Sequence, residues 1–409
     1  MNEINVYSFF IQPILNVFKA DSMNQIISKN LPLIAIFCLL AGLTQAQTTD
    51  PVNIVTTAVP FLRISPDARA GGMGDCGIAV SPDANAGFWN LAKTTFAKNN
   101  SGIGATYTPW LKDIAQDVYM ATLAGFYKLN DESAISGGIR YFNMGDIQFV
   151  DYNGILQGNG RPREFSVDFG YSRKIGGNMS VGVALRYINS SLANGAVSSY
   201  GVYKAGTTVA ADLSLFHNGT NDAGEGLNWG ITLSNLGGKI GYTDDAKSKD
   251  FIPATLGAGI AYNWVFDETS KFTLGVDVNK LLVPSAPVAS GDYPTDSAAL
   301  VVYHGQSVFQ SWFKSFKNDA FTASLGAEYN YNDQFFARGG YFFEPKDQGN
   351  RKYFTLGVGV KYNVITLNFS YLAPSGNGVT RNPLSNTLRF GVLFDLDPGA
   401  GGNDNSGAQ

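Results

Sequence analysis

The fold is decided by residues 164–187, which read EFSVDFGYSRKIGGNMSVGVALRY. In the first half, apolar residues occupy every odd position from Phe165 to Tyr171, and the second half repeats this pattern from Met179 to Tyr187. Alternation with a period of two is typical of a β-strand with one apolar face. A Gly-Gly pair separates the halves and indicates a tight turn. The stretch therefore predicts a β-hairpin.

Fourteen such stretches follow one another between Gly102 and Leu396, and the connections between them are alternately short and long. The longest runs from Leu282 to Asn318, and residues 217–226 are the one lengthy member of the short set. Bacterial outer-membrane barrels have an even number of antiparallel strands, with short turns at one end and long loops at the other. We therefore predict an all-β fold, a 14-stranded antiparallel transmembrane β-barrel with an N-terminal plug of short helices and turns.

The composition agrees with a barrel in lipid. Only 15% of the residues are charged, against about 25% in a typical soluble domain. The 13% of aromatic residues suits the two girdles that flank the apolar band of a membrane barrel. A net charge of -4 provides no basic face, so we expect no nucleic-acid partner.

The N-terminal region indicates export. After Met23, the positive residue Lys29 precedes an apolar run, Leu31–Leu43, and small residues stand just before Gln47. This run is shorter than the roughly 20 residues of a membrane-spanning helix. We therefore expect a cleaved signal peptide.

We expect the chain to be divided into an upstream extension with a wrongly assigned start, a signal peptide, a plug, the barrel and a flexible tail. Their expected bounds are 1–22, 23–46, 47–100, 101–397 and 398–409. Because the strand number is even, we expect both termini in the periplasm and the barrel in the outer membrane of a Gram-negative bacterium.

The segment before the barrel does not alternate, and it is rich in small residues and charges. A 14-stranded barrel is wider than the eight-stranded ones that side chains fill, so its lumen needs an occupant. We predict that this segment is a plug, with Arg63, Asp67, Arg69, Gly72, Gly74, Asp75 and Asn90 as its main residues. Its charges should meet lumen-facing side chains of the strands, namely Glu164, Asp168, Arg186, Asp277, Glu328, Arg338, Lys361 and Arg389. Mixed inward charges satisfy buried polar groups in a plugged barrel, and a conduction path is the alternative.

Chemistry-bearing motifs are sparse. His217 and His304 are the two histidines, and both stand in predicted connections on opposite sides of the membrane. They cannot form a metal cluster or a Ser-His-Asp set together. The run from Gly72 to Gly77 spells G-x-G-x-x-G but lacks the βαβ context of a dinucleotide site, so we interpret these glycines as positions of close packing. We expect no cofactor and no catalytic or metal site, and an enzyme acting on lipid is the weakest of three hypotheses.

The longest loop contains an amphipathic pattern. An apolar helical face is predicted within residues 305–318, formed by Val308, Phe309, Trp312, Phe313 and Phe316. Such a helix has three possible uses: it covers its own barrel mouth, lies in the membrane interface, or binds a partner. An exposed Trp with three Phe would be a patch that needs a partner.

Two stretches before the barrel carry a family resemblance. Residues 65–74 read SPDARAGGMG and residues 85–92 read NAGFWNLA, and the fourteen-strand pattern follows them. With these features the chain resembles the PorV proteins of the type IX secretion system, which belong to a wider FadL-like barrel class. Leu91 stands where FadL-type channels often carry proline.

The resemblance implies a function and partners. PorV-like proteins bind exported cargo with a C-terminal signal domain as it leaves the large translocon barrel. They then carry this cargo to the sortase-like attachment complex at the cell surface. The implied partners are the translocon barrel, the cargo, the attachment complex and outer-membrane lipid. The alternative is a FadL-like passive transporter of hydrophobic small molecules.

Overall fold

The structure is a computed structural model that describes residues 54–110, 115, 117–150, 153–193, 197–198, 201–243, 249–345, 349–374 and 387–396. The expected upstream extension, signal peptide and C-terminal tail lie outside these residues.

Strands make up most of the described chain. The first nine are β1 Ser101–Pro109, β2 Val118–Lys128, β3 Ser133–Met144, β4 Ile147–Val150, β5 Leu156–Gly160, β6 Arg163–Lys174, β7 Met179–Ser191, β8 Val197–Ser198 and β9 Gly201–Val202. The others are β10 Gly206–His217, β11 Gly226–Gly237, β12 Thr255–Val265, β13 Ser270–Leu281, β14 Phe321–Tyr331, β15 Phe335–Phe343, β16 Lys352–Tyr362, β17 Ile365–Pro374 and β18 Leu388–Leu396.

Fourteen of these described strands form a closed antiparallel barrel, while β4 with β5 and β8 with β9 form two small separate hairpins. The barrel closes between β1 and β18, where Ser101 is opposite Leu396. Along β7 the even-numbered residues from Ser180 to Ser190 are buried, whereas Val181, Val183, Leu185 and Tyr187 are exposed on the outer surface. The predicted fold class is confirmed.

The two ends of the barrel differ in their connections. We call the end with the short connections, such as 175–178 and 332–334, the turn end, and the opposite end the loop end. In the turn at Asn332 and Asp333, both residues have positive φ, at 56° and 50°. Asn and Asp adopt this conformation more readily than most other residues. Ser101 and Leu396 also lie at the turn end, because the strand number is even.

The segment before β1 occupies the lumen. Its short elements are a 3-10 helix Pro60–Arg63, α1 Ala68–Gly71, α2 Ala86–Trp89 and a 3-10 helix Leu91–Phe96. Asp67 caps α1, because its side chain accepts the N–H of Ala70 at 2.8 Å. We call the described residues 54–100 the plug.

The plug runs from one end of the barrel to the other. Val55 packs against Leu281 and Val283 at the loop end, and the N–H of Ala58 donates to the carbonyl of Phe251 there at 3.0 Å. The described part of the plug thus begins at the loop end and ends at the turn end. Both termini lie outside the described residues, so the side of the membrane on which they lie stays a prediction.

The β13–β14 connection holds α3 Tyr293–Gly305, α4 Val308–Lys314 and a 3-10 turn Ser315–Lys317. Among the described helices, none is long and apolar enough to cross a membrane.

Candidate functional site

A charge cluster joins the plug to the wall. Arg69 donates to the carboxylate of Glu328 from Nε at 3.0 Å and from Nη2 at 2.8 Å, and Arg338 Nε donates to the same carboxylate at 2.6 Å. Arg69 also pairs with Asp83 of the plug at 3.1 Å. Buried charges are costly unless they are paired, so each member of this cluster depends on the others. The structure thus brings three of the predicted residues, Arg69, Glu328 and Arg338, together.

The wall also holds the plug by its backbone. Asp277 accepts the N–H groups of Gly77 at 2.6 Å and Ile78 at 2.8 Å. Gly74 donates its N–H to the hydroxyl of Thr355 at 2.8 Å. Its φ is +67°, and a Cβ at this position would lie 2.7 Å from the backbone nitrogen of Tyr341. A side chain at residue 74 would therefore push the plug away from the wall.

Other predicted plug residues find separate partners. Asp75 accepts the hydroxyl of Tyr353 at 2.6 Å, and Arg389 Nη2 lies 3.9 Å from its second oxygen. The Asn90 amide donates to the carbonyl of Leu215 at 3.1 Å. Gly72 lies against the wall at Gly357, where an added Cβ would come within 3.0 Å of the Gly357 Cα. Asp67 accepts the indole N–H of Trp89 at 2.5 Å and thus ties α1 to α2.

Several predicted lumen residues pair within the wall and not with the plug. Arg186 donates to Asp168 at 2.5 Å and pairs with Asp212 at 2.8 Å. Glu164 accepts the hydroxyl of Ser190 at 2.6 Å. Lys361 pairs with Asp395 at 2.5 Å near the turn end. The charges of Arg186 and Lys361 are balanced by carboxylates of other strands, whereas the partner of Glu164 is an uncharged hydroxyl.

Some plug anchors in the wall were not predicted from the sequence, among them Glu344 and Arg140. Glu344 is 0% exposed and lies between Arg63 at 3.0 Å and Arg351 at 2.6 Å, although its place in a long connection gave no sign of burial. Arg140 Nη1 donates to the carbonyl of Leu62 at 3.0 Å, and its guanidinium lies 4.6 Å from the ring centre of Phe88. Alternation along β3 could have placed Arg140 inward, because neighbouring residues of a strand face opposite sides and Ile139 is exposed.

Apolar packing closes the loop end of the lumen. Val59, Phe61 and Leu62 of the plug pack on buried side chains near this end of the wall. These side chains are Trp110, Val118, Met120, Phe142, Ile188, Ala210, Ile240, Ile252, Phe342, Tyr353 and Leu372. The Arg351 guanidinium lies 5.5 Å from the ring centre of Phe342 in this cluster, so the charged group of Arg63, Glu344 and Arg351 also lies at this end of the lumen.

The turn end is open. A cavity of about 460 Å³ lies there, with plug residues 81–83 as its floor and polar side chains of the strands, such as Asn263 and Asn330, on its walls. We call it the turn-end cavity. A second cavity of about 140 Å³ lies between the plug and the wall, beside Arg63, Arg140 and Arg186.

The loop helix has its aromatic face turned outward. Ser311 and Ser315 are buried, whereas Phe309, Phe313 and Phe316 are 64%, 64% and 60% exposed. The Phe309 ring contacts Trp312 at 5.9 Å and Phe313 at 5.1 Å between centroids, which forms a continuous cluster. Trp312 and Val308 are half-buried. Within the described residues, the helix therefore does not cover its own barrel with this face.

A polar clamp holds the helix pair in place. Lys239 of the β11–β12 connection donates from Nζ to the carbonyls of His304 and Gln306, both at 2.6 Å, at the end of α3. Its ammonium lies 4.2 Å from the ring centre of Phe251. Burial lowers the pKa of Lys239, and the charge of Asp250 opposes this shift. Burial also raises the pKa of Asp250, against the opposing effects of His304 and Lys239. The clamp fixes the direction in which the aromatic face points.

The histidines lie apart. His304 belongs to the clamp, and His217 stacks on Trp229 with a ring separation of 5.4 Å. In the part of the chain that the structure describes, no group of three or more His, Cys, Asp or Glu could hold a metal ion.

A family model for the type IX secretion system protein PorV matches residues 46–288, which is more than half of the chain. The chain belongs to the PorV family. It is accordingly an outer-membrane component of the type IX secretion system, and its family and fold are those of a secretion or transport barrel. No curated protein is similar enough to count as a match.

Solved structures of outer-membrane channels share the architecture. The TodX deltaS2S3 mutant, a monoaromatic hydrocarbon channel, has a TM-score of 0.53 and 11% identity over 81% of this chain and 99% of its own. The Pseudomonas putida toluene transporter TodX has a TM-score of 0.49 and 13% identity over 84% of this chain and 98% of its own. A Pseudomonas aeruginosa FadL homologue has a TM-score of 0.43 and 11% identity over 84% of this chain and 100% of its own. At these identities the likeness concerns the fold alone.

Proposed function

We propose that this barrel binds exported cargo carrying a C-terminal signal domain at the translocon and shuttles it to the cell-surface attachment complex. The aromatic cluster of Phe309, Trp312, Phe313 and Phe316, with Val308 beside it, is the binding surface. The loop end faces the cell exterior, as long loops do in outer-membrane barrels.

The observation that supports this proposal is that the aromatic face of α4 is turned away from the barrel. An apolar helical face normally packs onto its own protein, because burial removes apolar surface from water. Here two serines are buried, and three phenylalanines are exposed on the surface of the protein. Exposed aromatic clusters of this kind mark interaction sites, and aromatic residues are frequent among the anchors of interfaces.

The lumen supports the shuttle more than the alternative, a passive channel for hydrophobic molecules. Such a channel needs an apolar pocket linked to a movable plug or to a lateral gap. In the described lumen, the apolar cluster at the loop end is packed around Phe61, and the two cavities are lined mainly by polar and charged side chains. The channel hypothesis keeps the support of the fold likeness to TodX.

The triple variant Phe309→Ser, Phe313→Ser, Phe316→Ser tests the proposal. Each anchor contributes about 2 kcal/mol or more in interfaces of this type, so the variant should lose co-purifying translocon or cargo. Cargo should then accumulate in the periplasm. The barrel itself should assemble, because the replaced side chains are exposed, and heat-modifiable migration on a gel checks this.

Phe266→Ser is the matched control, since Phe266 is also exposed but lies in the β12–β13 turn at the other end. It should leave secretion and partner recovery unchanged. Normal secretion and normal partner recovery in the triple variant would exclude α4 as the binding surface. Unchanged secretion with reduced uptake of a hydrophobic solute would favour the channel.

A further inference from the structure

The turn-end cavity has the form of a ligand site that the secretion function does not use. Its volume of about 460 Å³ lies within the usual range for small-molecule sites, about 300 to 1,000 Å³. The β10–β11 turn, residues 218–225, is the lengthy member of the short connections and lines the cavity with Asn218, Thr220 and Asn221. This turn is held in shape by its own bonds, among them the Glu225 N–H to the Asn221 side-chain oxygen at 3.0 Å.

Four asparagine amides of the cavity are oriented alike, namely those of Asn221, Asn228, Asn263 and Asn368, whereas Asn330 donates from its nitrogen to Asp333 at 2.6 Å. The side-chain oxygen of Asn228 accepts the N–H of Gly219 at 3.1 Å, and that of Asn368 accepts Arg338 Nη1 at 2.8 Å. The oxygen of Asn263 accepts the hydroxyl of Thr273 at 2.8 Å. Backbone N–H and guanidinium groups can only donate, so they fix which amide atom is the oxygen at Asn221, Asn228 and Asn368.

The amide nitrogens of these residues are left for a ligand. Among the bonds of the described residues, none uses the Nδ2 of Asn221, Asn228, Asn263 or Asn368. None of these nitrogens is sealed from solvent without a partner either, so they are open to the cavity. The wall therefore presents a set of hydrogen-bond donors.

The charges of the cavity cancel. Five basic and five acidic side chains are among its described lining residues. They form pairs such as Lys271 with Asp333 at 2.8 Å and Lys361 with Asp395 at 2.5 Å. A charged ligand would gain little net attraction, which favours a neutral one. Phe96, Phe126 and Phe336 add aromatic surface to the lining, against which the C–H face of a sugar ring can pack.

We propose that the turn-end cavity binds a short neutral oligosaccharide. Sugar hydroxyls accept hydrogen bonds through their lone pairs, and their own protons can go to a neighbouring hydroxyl or to water. A peptide brings one N–H donor for each carbonyl and so needs acceptors from the wall as well, but the oxygens of Asn221, Asn228, Asn263 and Asn368 each already accept an internal bond. This site is separate from the aromatic face of α4, which lies at the other end of the barrel.

The test is titration calorimetry on the folded barrel in a detergent without sugar groups, such as lauryldimethylamine oxide. The probes are maltotriose, the N-acetylglucosamine trimer and a capped neutral tripeptide. The double variant Asn221→Asp, Asn263→Asp keeps each oxygen that accepts an internal bond but replaces each NH₂ donor by an oxygen. We expect saturable binding of at least one saccharide and at least tenfold weaker binding by the variant.

Asn130→Asp is the control, because Asn130 accepts the N–H of Glu132 at 2.9 Å in another turn at the same end, outside the cavity. It should bind as the native protein does. Heat-modifiable migration shows that each variant is folded. No saccharide binding by the folded native barrel, binding of the tripeptide alone, or equal affinity in the double variant would each overturn the proposal.

Discussion

The plug meets the barrel in different ways at the two ends of the lumen. At the loop end, Phe61 and its neighbours are enclosed by apolar side chains of the wall. Towards the turn end, Arg69 joins the paired charges at Glu328, and beyond them lies an open polar cavity. The first contact is mainly apolar packing, accompanied by bonds such as that of Arg140 to the carbonyl of Leu62, whereas the second consists of paired charges. The two ends therefore differ in how much of the plug–wall contact is apolar.

Glu328→Gln is expected to have the largest effect on the stability of the barrel. The change leaves Arg69 and Arg338 buried without their shared carboxylate, so the free energy of unfolding should fall by about 4 to 5 kcal/mol. Urea unfolding in lipid vesicles measures this. Glu268→Gln, in the exposed β12–β13 turn, is the control and should change stability by less than about 0.5 kcal/mol. A similarly small loss at Glu328 would show that the cluster does not position the plug.

Phe61→Ala should cost about 3 to 4 kcal/mol, because a fully buried aromatic ring is removed. It should also raise ion conductance in planar bilayers, since the apolar closure at the loop end is opened. Phe61→Leu keeps most of the side-chain volume, so the lumen should stay closed to ions in this variant. If Glu328→Gln conducts and Phe61→Ala does not, the roles of the two ends are reversed.

Val392→Arg should lower the free energy of unfolding by about 2 to 3 kcal/mol. Val392 stands between outward-facing Phe390 and Phe394 near the middle of β18, so the charge would be placed in lipid. Conductance should not change, because neither end of the lumen is touched. Val392→Leu is the control. Unchanged stability of the arginine variant in vesicles would mean that the inward and outward faces of β18 are exchanged.

Alternation was sufficient to predict the barrel, because a period of two survives errors of a few residues in strand bounds. The pairing of plug and wall was harder to predict. Arg69 and Glu328 are 259 residues apart in sequence, and their meeting depends on which strand of the closed ring stands beside α1. Both residues are recognisable from the sequence as charges of the plug and the lumen, but nothing local in the sequence indicates that they pair.

The long loop was predicted in part. The helix and its aromatic face follow from the spacing of Phe309, Trp312, Phe313 and Phe316, and α4 covers the first three of them. The direction of this face depends on Ser311 and Ser315, which are small enough to pack closely, and on the clamp at Lys239. Such tertiary contacts have no local signature. The helix α3 was not predicted, because residues 293–305 lack a clear apolar stripe.

The path of the plug through the lumen constrains how the protein is assembled. The plug leads directly into β1, and β1 completes the ring by pairing with β18, the last strand of the chain. Ser101 follows the plug directly and stands opposite Leu396, so the plug is tethered to the seam at which the ring closes. Assembly therefore has to place the plug in the lumen and close this seam within one chain.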